Sequence, residues 1–191
     1  KTVLFYCNPS EEHPAPSAAL VGATAGQPVG SITYKNVILK GIQAQNLTVG
    51  EIEAIHAKGG ITFVTKAGDN VTSEGKVAGG EFIDIIDAKD YVISNLEYET
   101  QKLLNNSNKI AYDNNGIALL QSVAEAVLKD AYNNGIIATS TEGTPAYTVS
   151  YALRESSQES DIVARKYVGG SFSFTLAGAI HNVDITGEII I

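Results

Sequence analysis

The stretch SFSFTLAGAIHNVDITGEIII, residues 171–191, ends the chain in a regular alternation of apolar and polar side chains. Its first part alternates Phe172, Phe174 and Leu176 with serine and threonine. After Gly178 the apolar residues return on one parity, at Val183, Ile185, Ile189 and Ile191. A period of two residues is typical of a β-strand with one apolar face. The sequence therefore predicts strands on both sides of Gly178, the second running to the last residue.

A chain that ends in an apolar strand presents an unpaired edge to its surroundings. Such edges pair readily with other chains, and strand addition is a common way of joining subunits. We therefore expect an assembly protein in which 183–191 is a joining element. Arg154 and Arg165 are candidates for ion pairs with carboxylates of a neighbouring subunit, which would set register more than affinity; solvated surface arginines are the alternative.

Composition excludes several classes of protein. The chain has 191 residues, 44% of them hydrophobic, and a formal net charge of −8. The 13 Lys and Arg residues are scattered, which argues against nucleic acid, and no apolar run approaches the ~20 residues of a membrane helix. The single cysteine, Cys7, excludes an internal disulfide. The chain begins on Lys1 inside a strand-like run, so we interpret it as a fragment that lacks an N-terminal part.

Local signals predict a mixture of helices and strands. Small residues over 17–26 predict a short helix, and Thr48 followed by Glu51 has the spacing of a capping box for a second one. ITFVT (61–65), a turn at 67–70 and VTSEG (71–75) predict a hairpin. EFIDII (81–86) is interpreted as a strand, and Asp87 as the cap of the helix that follows it.

Two long amphipathic helices, near 88–104 and 114–133, have one-sided apolar stripes. We expect them to pack on one sheet that contains 81–86 and 171–177, with further strands at 136–138 and 147–153 and a short helix near 160–166. Strands and helices alternate without strict βαβ order, so the predicted class is α+β with a mixed sheet, in one region spanning 1–191.

Three segments carry a resemblance to a known family. GEFIDIIDAKDYV (80–92), KIAYDNNGIALLQSVAEAVLKDAYNNGII (109–137) and SDIVARKYVGGSFSFTLAGAIHNVDITG (160–187) occur in the order and spacing found in contractile phage tail sheath proteins. The chain most closely resembles the C-terminal portion of a sheath-like group long described as a domain of unknown function.

The resemblance implies a structural subunit of the tail sheath of a phage or phage-like particle. Such subunits form hexameric rings around an inner tube above a baseplate, are joined by extended terminal arms that complete each other's sheets, and contract. It implies a location in the virion tail after synthesis in the bacterial cytoplasm, and no nucleic-acid or membrane partner. Because the N-terminal arm is missing, we expect this fragment alone to be monomeric. A non-polymerising virion accessory module is the alternative.

Motifs of catalysis and metal binding are sparse. His13, His56 and His181 lie far apart in sequence and in no metal-binding spacing, and no nucleophile elbow occurs. We expect no enzyme activity, no cofactor and no metal; a hydrolase that uses His181 with a nearby Asp is the third hypothesis. Asp84, Asp87 and Asp90 recur every third residue, which suits either a cation site or, as we favour, the start of a helix.

Overall fold

The computed structural model describes residues 1–8 and 15–188. The chain divides into two compact units, and the segments that form them alternate along the sequence. Unit 1 contains the N-terminal stretch to Gly26, residues 33–83 and the stretch from Gly178 onward; unit 2 contains 27–32 and 84–177. The Ile189 and Ile191 side chains and His13 lie outside the described residues.

Unit 1 combines short strands with two short helices. Its elements are β1 (Leu4–Phe5), α1 (Pro16–Thr24), α2 (Val49–Ala57), β2 (Gly60–Ile61), β3 (Phe63–Lys66) and β4 (Asp69–Thr72). β1 pairs in parallel with β2, and β3 pairs antiparallel with β4. The core joins α1 to these strands through Leu20, Leu39, Ile61 and Phe63. The expected helix over 17–26 is confirmed.

Two local sequence motifs in unit 1, a capping box and a hairpin turn, form the structures that they predict. Thr48 and Glu51 form the capping box, since the Thr48 side chain accepts from the Glu51 N–H and the Glu51 carboxylate accepts from the Thr48 N–H at 2.8 Å. The β3–β4 hairpin turns at Ala67 and Gly68, both with positive φ, at 51° and 93°. That pair of angles belongs to a type I′ turn, whose twist matches that of the flanking strands.

Unit 2 is built on the two long helices and one hairpin. Its elements are α4 (Asn114–Asn133), β5 (Tyr147–Tyr151), a 3₁₀ turn (Arg154–Ser156), α5 (Glu159–Val163) and β6 (Gly170–Phe174); most of α3 (Ile83–Asn106) also belongs here. Ala88 and Val92 of α3 meet Leu128 and Ala131 of α4 in one core, which Val149 and Phe174 of the hairpin cover. The α+β class with two long packed helices is confirmed, and the strands of the described residues form three two-stranded sheets.

The helix ends in unit 2 follow capping rules. Asp113 caps α4, its carboxylate accepting from the Gly116 N–H at 2.9 Å. Position 116 requires glycine because the backbone of Ala111 approaches it closely. A Cβ at Gly116 would lie 2.0 Å from the carbonyl oxygen of Ala111. Gly135, at φ 79°, follows the last turn of α4, where glycine is the usual residue.

The strand predicted over 81–86 is wrong. Phe82 makes an isolated bridge to Lys76, and α3 already begins at Ile83. Asp84 therefore lies in the first turn, and Asp87 lies inside the helix instead of capping it. The apolar run of 82–86 fits a strand as well as a helix, so its periodicity could not decide between them. The sheet expected to hold both 81–86 and 171–177 does not exist; 170–174 pairs with 147–151.

Candidate subunit interface

The C-terminal segment, residues 178–188, leaves the hairpin without joining a sheet. The last backbone hydrogen bond before this segment is donated by the Ala177 N–H to the Ile136 carbonyl at 2.9 Å. The chain then turns at Gly178, which has a φ of 64°. No β-strand is assigned within 178–188. Val183 is 70% exposed and Ile185 is 88% exposed. Within the described part of this segment the predicted strand is thus absent, and the side chains of Val183 and Ile185 face solvent.

One short anchor holds the root of this segment. The His181 Nε2 atom lies 2.7 Å from the Thr33 hydroxyl oxygen, and the ring meets Phe82 edge-on at 5.0 Å between centroids. The next residue is held as well, since the Lys35 ammonium donates to the Asn182 amide oxygen at 3.1 Å. The His181 side chain is only 12% exposed, in contrast to its neighbours.

His181 also lies beside a carboxylate. Its Nδ1 atom is 3.6 Å from a Glu74 oxygen, and that same oxygen accepts from the Gly75 N–H at 3.1 Å. A hydroxyl, an imidazole and a carboxylate therefore meet in sequence, as in a hydrolytic triad. The hydroxyl belongs to Thr33, and the carboxylate is a glutamate instead of the aspartate that the sequence suggested.

His56 makes a separate, structural contact. Its Nε2 atom lies 2.9 Å from the Ser73 hydroxyl, which is 1% exposed and also accepts from the Thr62 N–H. Burial lowers the pKa of His56 below its ordinary value, and the nearby Glu74 opposes this only in part. Burial thus favours the neutral form of the imidazole, which is the partner of a buried hydroxyl.

The β5–β6 hairpin offers edges that another strand can use. Within the described part of the chain, β5 and β6 pair only with each other, so each strand keeps one unpaired edge. Phe172 is 42% exposed and stacks on Phe174, with ring centroids 6.3 Å apart. Backbone groups and an aromatic surface are thus both available beside the hairpin.

Arg154 and Arg165 lie beside one groove in unit 2. The Arg154 guanidinium donates to the Tyr112 carbonyl, and its backbone N–H donates to the Asn114 side chain at 2.9 Å. Arg165 adopts a left-handed conformation, with φ 55°, just after α5. The groove has a volume of about 900 Å³ and is also lined by Lys109 and Tyr167. The sequence did not place these cations together, because they come from three separate segments: the α3–α4 connection, the 3₁₀ turn and the residues after α5.

The described residues contain no group of three or more His, Cys, Asp or Glu side chains arranged to hold a metal ion. Asp84 instead accepts from the Ile85 N–H at 2.9 Å. Over the same residues, no helix is both long and apolar enough to cross a membrane.

A family model described as E217 tail sheath protein gp31-like, C-terminal domain, matches residues 83–189, more than half of the chain. The chain belongs to this tail sheath family. The resemblance drawn from the three sequence segments is confirmed. The match includes both long helices, the hairpin, the groove and nearly all of the C-terminal segment of this tail sheath domain.

Solved structures show that the fold is that of contractile sheaths. The PVC sheath complex of an extracellular contractile injection system, in its contracted state, matches with a TM-score of 0.69 at 14% identity, over 91% of this chain and 51% of that chain. The contracted helical sheath of the anti-feeding prophage matches with a TM-score of 0.67 at 14% identity, over 88% and 48%.

The baseplate of the anti-feeding prophage contains a third similar chain, with a TM-score of 0.66 at 14% identity over 90% of this chain and 49% of that one. At such identities the likeness concerns the fold. The tail sheath chain described here spans about half the length of these structural relatives. No curated protein sequence matches it.

Proposed function

We propose that this protein is a structural subunit of the contractile tail sheath of a phage or phage-like particle. In the full-length protein it assembles with copies of itself into hexameric rings stacked around an inner tube, on a baseplate. Contraction of the rings drives the tube through the host envelope. The role is mechanical, without catalysis or cofactor, and the protein acts in the particle tail after synthesis in the host cytoplasm.

The observation that carries this proposal is the exposed C-terminal segment in a chain of the tail sheath family. Val183 and Ile185 are both at least 70% exposed, although they repeat on strand parity. Burying each is worth roughly 1.5–3 kcal/mol. Ordering the backbone costs ~1–2 kcal/mol per residue. One such junction is therefore marginal, whereas a lattice that repeats it many times is cooperative.

In this proposal the interface consists of Val183, Ile185, Ile189 and Ile191 on the joining segment, with Arg154 and Arg165 on the receiving surface. The segment adds to an unpaired edge of a neighbour's sheet, and the arginines set its register. Packed interfaces of this kind switch between discrete arrangements, which suits a lattice with an extended and a contracted state.

The test uses the full-length parent protein. We expect Ile189→Asp combined with Ile191→Asp to abolish tubes in negative-stain electron microscopy, because two buried charges oppose each junction. Circular dichroism should remain that of a folded subunit. The matched control is Ile38→Asp combined with Val49→Asp, since these residues are 63% and 73% exposed outside the segment. Normal tubes from the first double variant would overturn the assembly role of the segment.

A virion accessory module that binds without polymerising is the competing structural reading. It predicts that the wild-type full-length parent forms discrete particles at every salt and protein concentration. Filaments with regular transverse striation would exclude it.

The Thr33–His181–Glu74 arrangement favours hydrolysis as a second candidate, of lower weight. Threonine within a chain is a hindered nucleophile. None of the three residues lines the groove of about 900 Å³ in unit 2 or a second groove, of about 370 Å³, beside Leu4 and Ile55 in unit 1. The Phe82 ring covers one edge of the imidazole. We expect no esterase, protease or nucleotidase turnover above buffer. Turnover of p-nitrophenyl acetate that disappears in His181→Ala would reverse this order.

A further inference from the structure

Lys35 is a buried lysine whose head group contacts a side-chain amide. The residue is 9% exposed, and its Nζ atom donates to the Asn182 Oδ1 atom at 3.1 Å. Among residues 1–8 and 15–188, no carboxylate oxygen lies within 4 Å of this ammonium. A buried charge without an opposite charge beside it is costly. Conversion of the amine to an amide removes that charge permanently.

The backbone holds Lys35 beside Glu74. A Cβ placed on Gly75 would lie only 2.9 Å from the Lys35 backbone nitrogen, so the two backbones touch. Directly after Lys35, Asn36 adopts a left-handed conformation with φ 62°, which asparagine tolerates better than most residues. The Asn36 N–H donates to the Thr72 carbonyl at 3.0 Å. Lys35 is therefore fixed against the segment that carries Glu74.

Asn182 is held in place by its neighbour His181, whose imidazole contacts Thr33 and Glu74 as described above. Because the Asn182 Oδ1 atom is 3.1 Å from the Lys35 Nζ atom and a C=O bond is about 1.2 Å long, Nζ lies no more than about 4.3 Å from the Asn182 Cγ atom. Reacting atoms in a productive arrangement are about 3–3.5 Å apart, so a small rotation of the amide brings them together. Asn182 is exposed, and a small leaving group can therefore escape to solvent.

A proton acceptor lies in the same cluster. The Glu74 carboxylate is fixed by the Gly75 N–H, which donates to it at 3.1 Å, and lies 3.6 Å from the His181 Nδ1 atom. Burial lowers the pKa of Lys66, the charge of Lys35 lowers it further, and Glu74 opposes both effects. The amine of Lys35 and the carboxylate of Glu74 thus share one partly buried neighbourhood, as acid–base assistance requires.

We propose that Lys35 and Asn182 join spontaneously in an isopeptide bond, with Glu74 as the acid–base group. Glu74 takes a proton from the Lys35 ammonium, and the free amine attacks the Asn182 Cγ atom. The Nζ–Cγ bond forms and the Cγ–Nδ2 bond breaks. Glu74 passes its proton to Nδ2, which leaves as ammonia, and then takes the second proton from Nζ and releases it to solvent. No electrons are gained or lost, and no co-reactant is consumed.

The bond links residues that are 147 positions apart, at the root of the C-terminal segment. It goes beyond the proposed function, because it forms within one chain and needs no neighbouring copy. It forms once per chain and gives no turnover of other molecules. A covalent link at this place keeps the root of 183–188 attached to unit 1 under a load that would break hydrogen bonds.

Intact-protein mass spectrometry of the folded 191-residue chain, incubated until its mass is constant, tests the bond directly. We expect the main species to be lighter than its sequence mass by one ammonia, about 17 Da. After trypsin digestion, the peptide that ends at Lys40 should be joined to peptide 167–191, with no cleavage at Lys35 because its amine is acylated. A folded wild-type chain that keeps its full sequence mass would overturn the proposal.

Lys35→Arg and Asn182→Ala identify the two partners. Each variant should have its full sequence mass, because arginine has no nucleophilic amine and alanine has no amide. Lys66→Arg is the matched control, since Lys66 is another lysine of the same cluster, and it should keep the deficit. A deficit that persists in Asn182→Ala would come from another reaction, such as succinimide formation at the Asn-Gly pair 134–135, and would contradict the bond.

Glu74→Gln separates the acid–base role of Glu74 from a positioning role. Glutamine keeps an oxygen that can accept from the Gly75 N–H, but it does not take up a proton at neutral pH. Followed by mass from the end of cell-free synthesis, ammonia loss in the folded variant should be at least about a hundredfold slower than in wild type. Glu74→Asp should recover part of the rate. Loss at the wild-type rate in Glu74→Gln would show that Glu74 is not the proton carrier.

The link should also be visible in stability and in gel migration. A closed loop reduces the conformational entropy of the unfolded chain, so Lys35→Arg, which lacks the bond, should unfold at least about 5 °C below wild type. In denaturing electrophoresis the cross-linked wild-type chain should migrate faster than Lys35→Arg, and Lys66→Arg should behave like wild type in both measurements. Equal migration of wild type and Lys35→Arg would contradict the link.

Discussion

The two halves of 171–191 share one sequence pattern and have opposite structural outcomes. The half before Gly178 forms β6, pairs with β5 over five residues and places Phe174 against the core of unit 2. The half after Gly178 carries the same alternation, yet no strand is assigned within 178–188, and Ile185 is 88% exposed. Alternation of apolar and polar residues therefore predicts that a segment is able to form a β-strand. It does not determine which other strand pairs with that segment.

Hydrogen exchange gives the largest contrast between the two halves. The Thr175 N–H donates to the Ala146 carbonyl, so antiparallel register places the Ser171 and Ser173 amides in the ladder as well. In the 191-residue chain these amides should exchange at least about a hundredfold more slowly than those of Asp184 and Ile185. NMR-detected exchange measures both. In assembled parent tubes the two sets should become alike; a segment already protected in the single chain would contradict the comparison.

Truncation of one apolar side chain in each half gives the next largest effect. Phe174 is half-buried against the core, so Phe174→Ala should lower the free energy of unfolding by about 2 kcal/mol. Ile185→Ala should change it by less than ~0.5 kcal/mol, as exposed positions do. Urea denaturation measures both. A comparable loss at Ile185 would show that the segment is packed in solution.

Removal of the anchor should have a smaller effect. His181→Ala loses the contact with Thr33 and the edge contact with Phe82, at a cost of about 1 kcal/mol in unfolding free energy. Backbone order parameters of 183–188 should fall in NMR relaxation. Thr33→Val is the matched control, which removes the hydroxyl alone and should have part of the effect. Unchanged order parameters would mean that the segment is held elsewhere.

Acidification should produce the smallest effect, confined to unit 1. The pKa of His56 is lowered in the folded protein, so below pH ~6.5 the unfolded chain binds a proton that the folded chain does not. Unfolding free energy is therefore unaffected above that pH and decreases as pH falls from it. Urea midpoints at several pH values measure the slope, which His56→Gln should reduce. An equal slope in the variant would assign the effect to another group.

Elements with complete local chemistry could be predicted from the sequence. The Thr48–Glu51 capping box and the turn before Asp69 each contain their partners within a few residues. The run 82–86 could not be assigned, because its apolar spacing fits both periods and the choice depends on tertiary packing. Helix α3 consequently begins at Ile83, earlier than expected.

The candidate interface could be predicted in part. The apolar parity of Val183 and Ile185 marked the segment, and Arg154 and Arg165 were selected as candidates for ion pairs with carboxylates of a neighbouring subunit. Their placement with Lys109 along one groove depends on loops distant in sequence, so no local spacing indicates it. The anchor at His181 was missed for the same reason, since its partner Thr33 lies 148 residues away.

The anchor at His181 and Asn182 also fixes a tether length. The six residues that directly follow it, 183–188, include Val183 and Ile185, and an extended chain covers at most about 3.3–3.6 Å per residue, or roughly 20–22 Å for these six. A receiving surface on another subunit must therefore stay within that radius of Asn182 while the segment remains docked. In a lattice built from such junctions, a rearrangement that keeps the segments docked is a rotation of the subunits about their anchors at His181 and Asn182. Separation of neighbouring subunits beyond the tether length requires either undocking of the segment or release of the anchor.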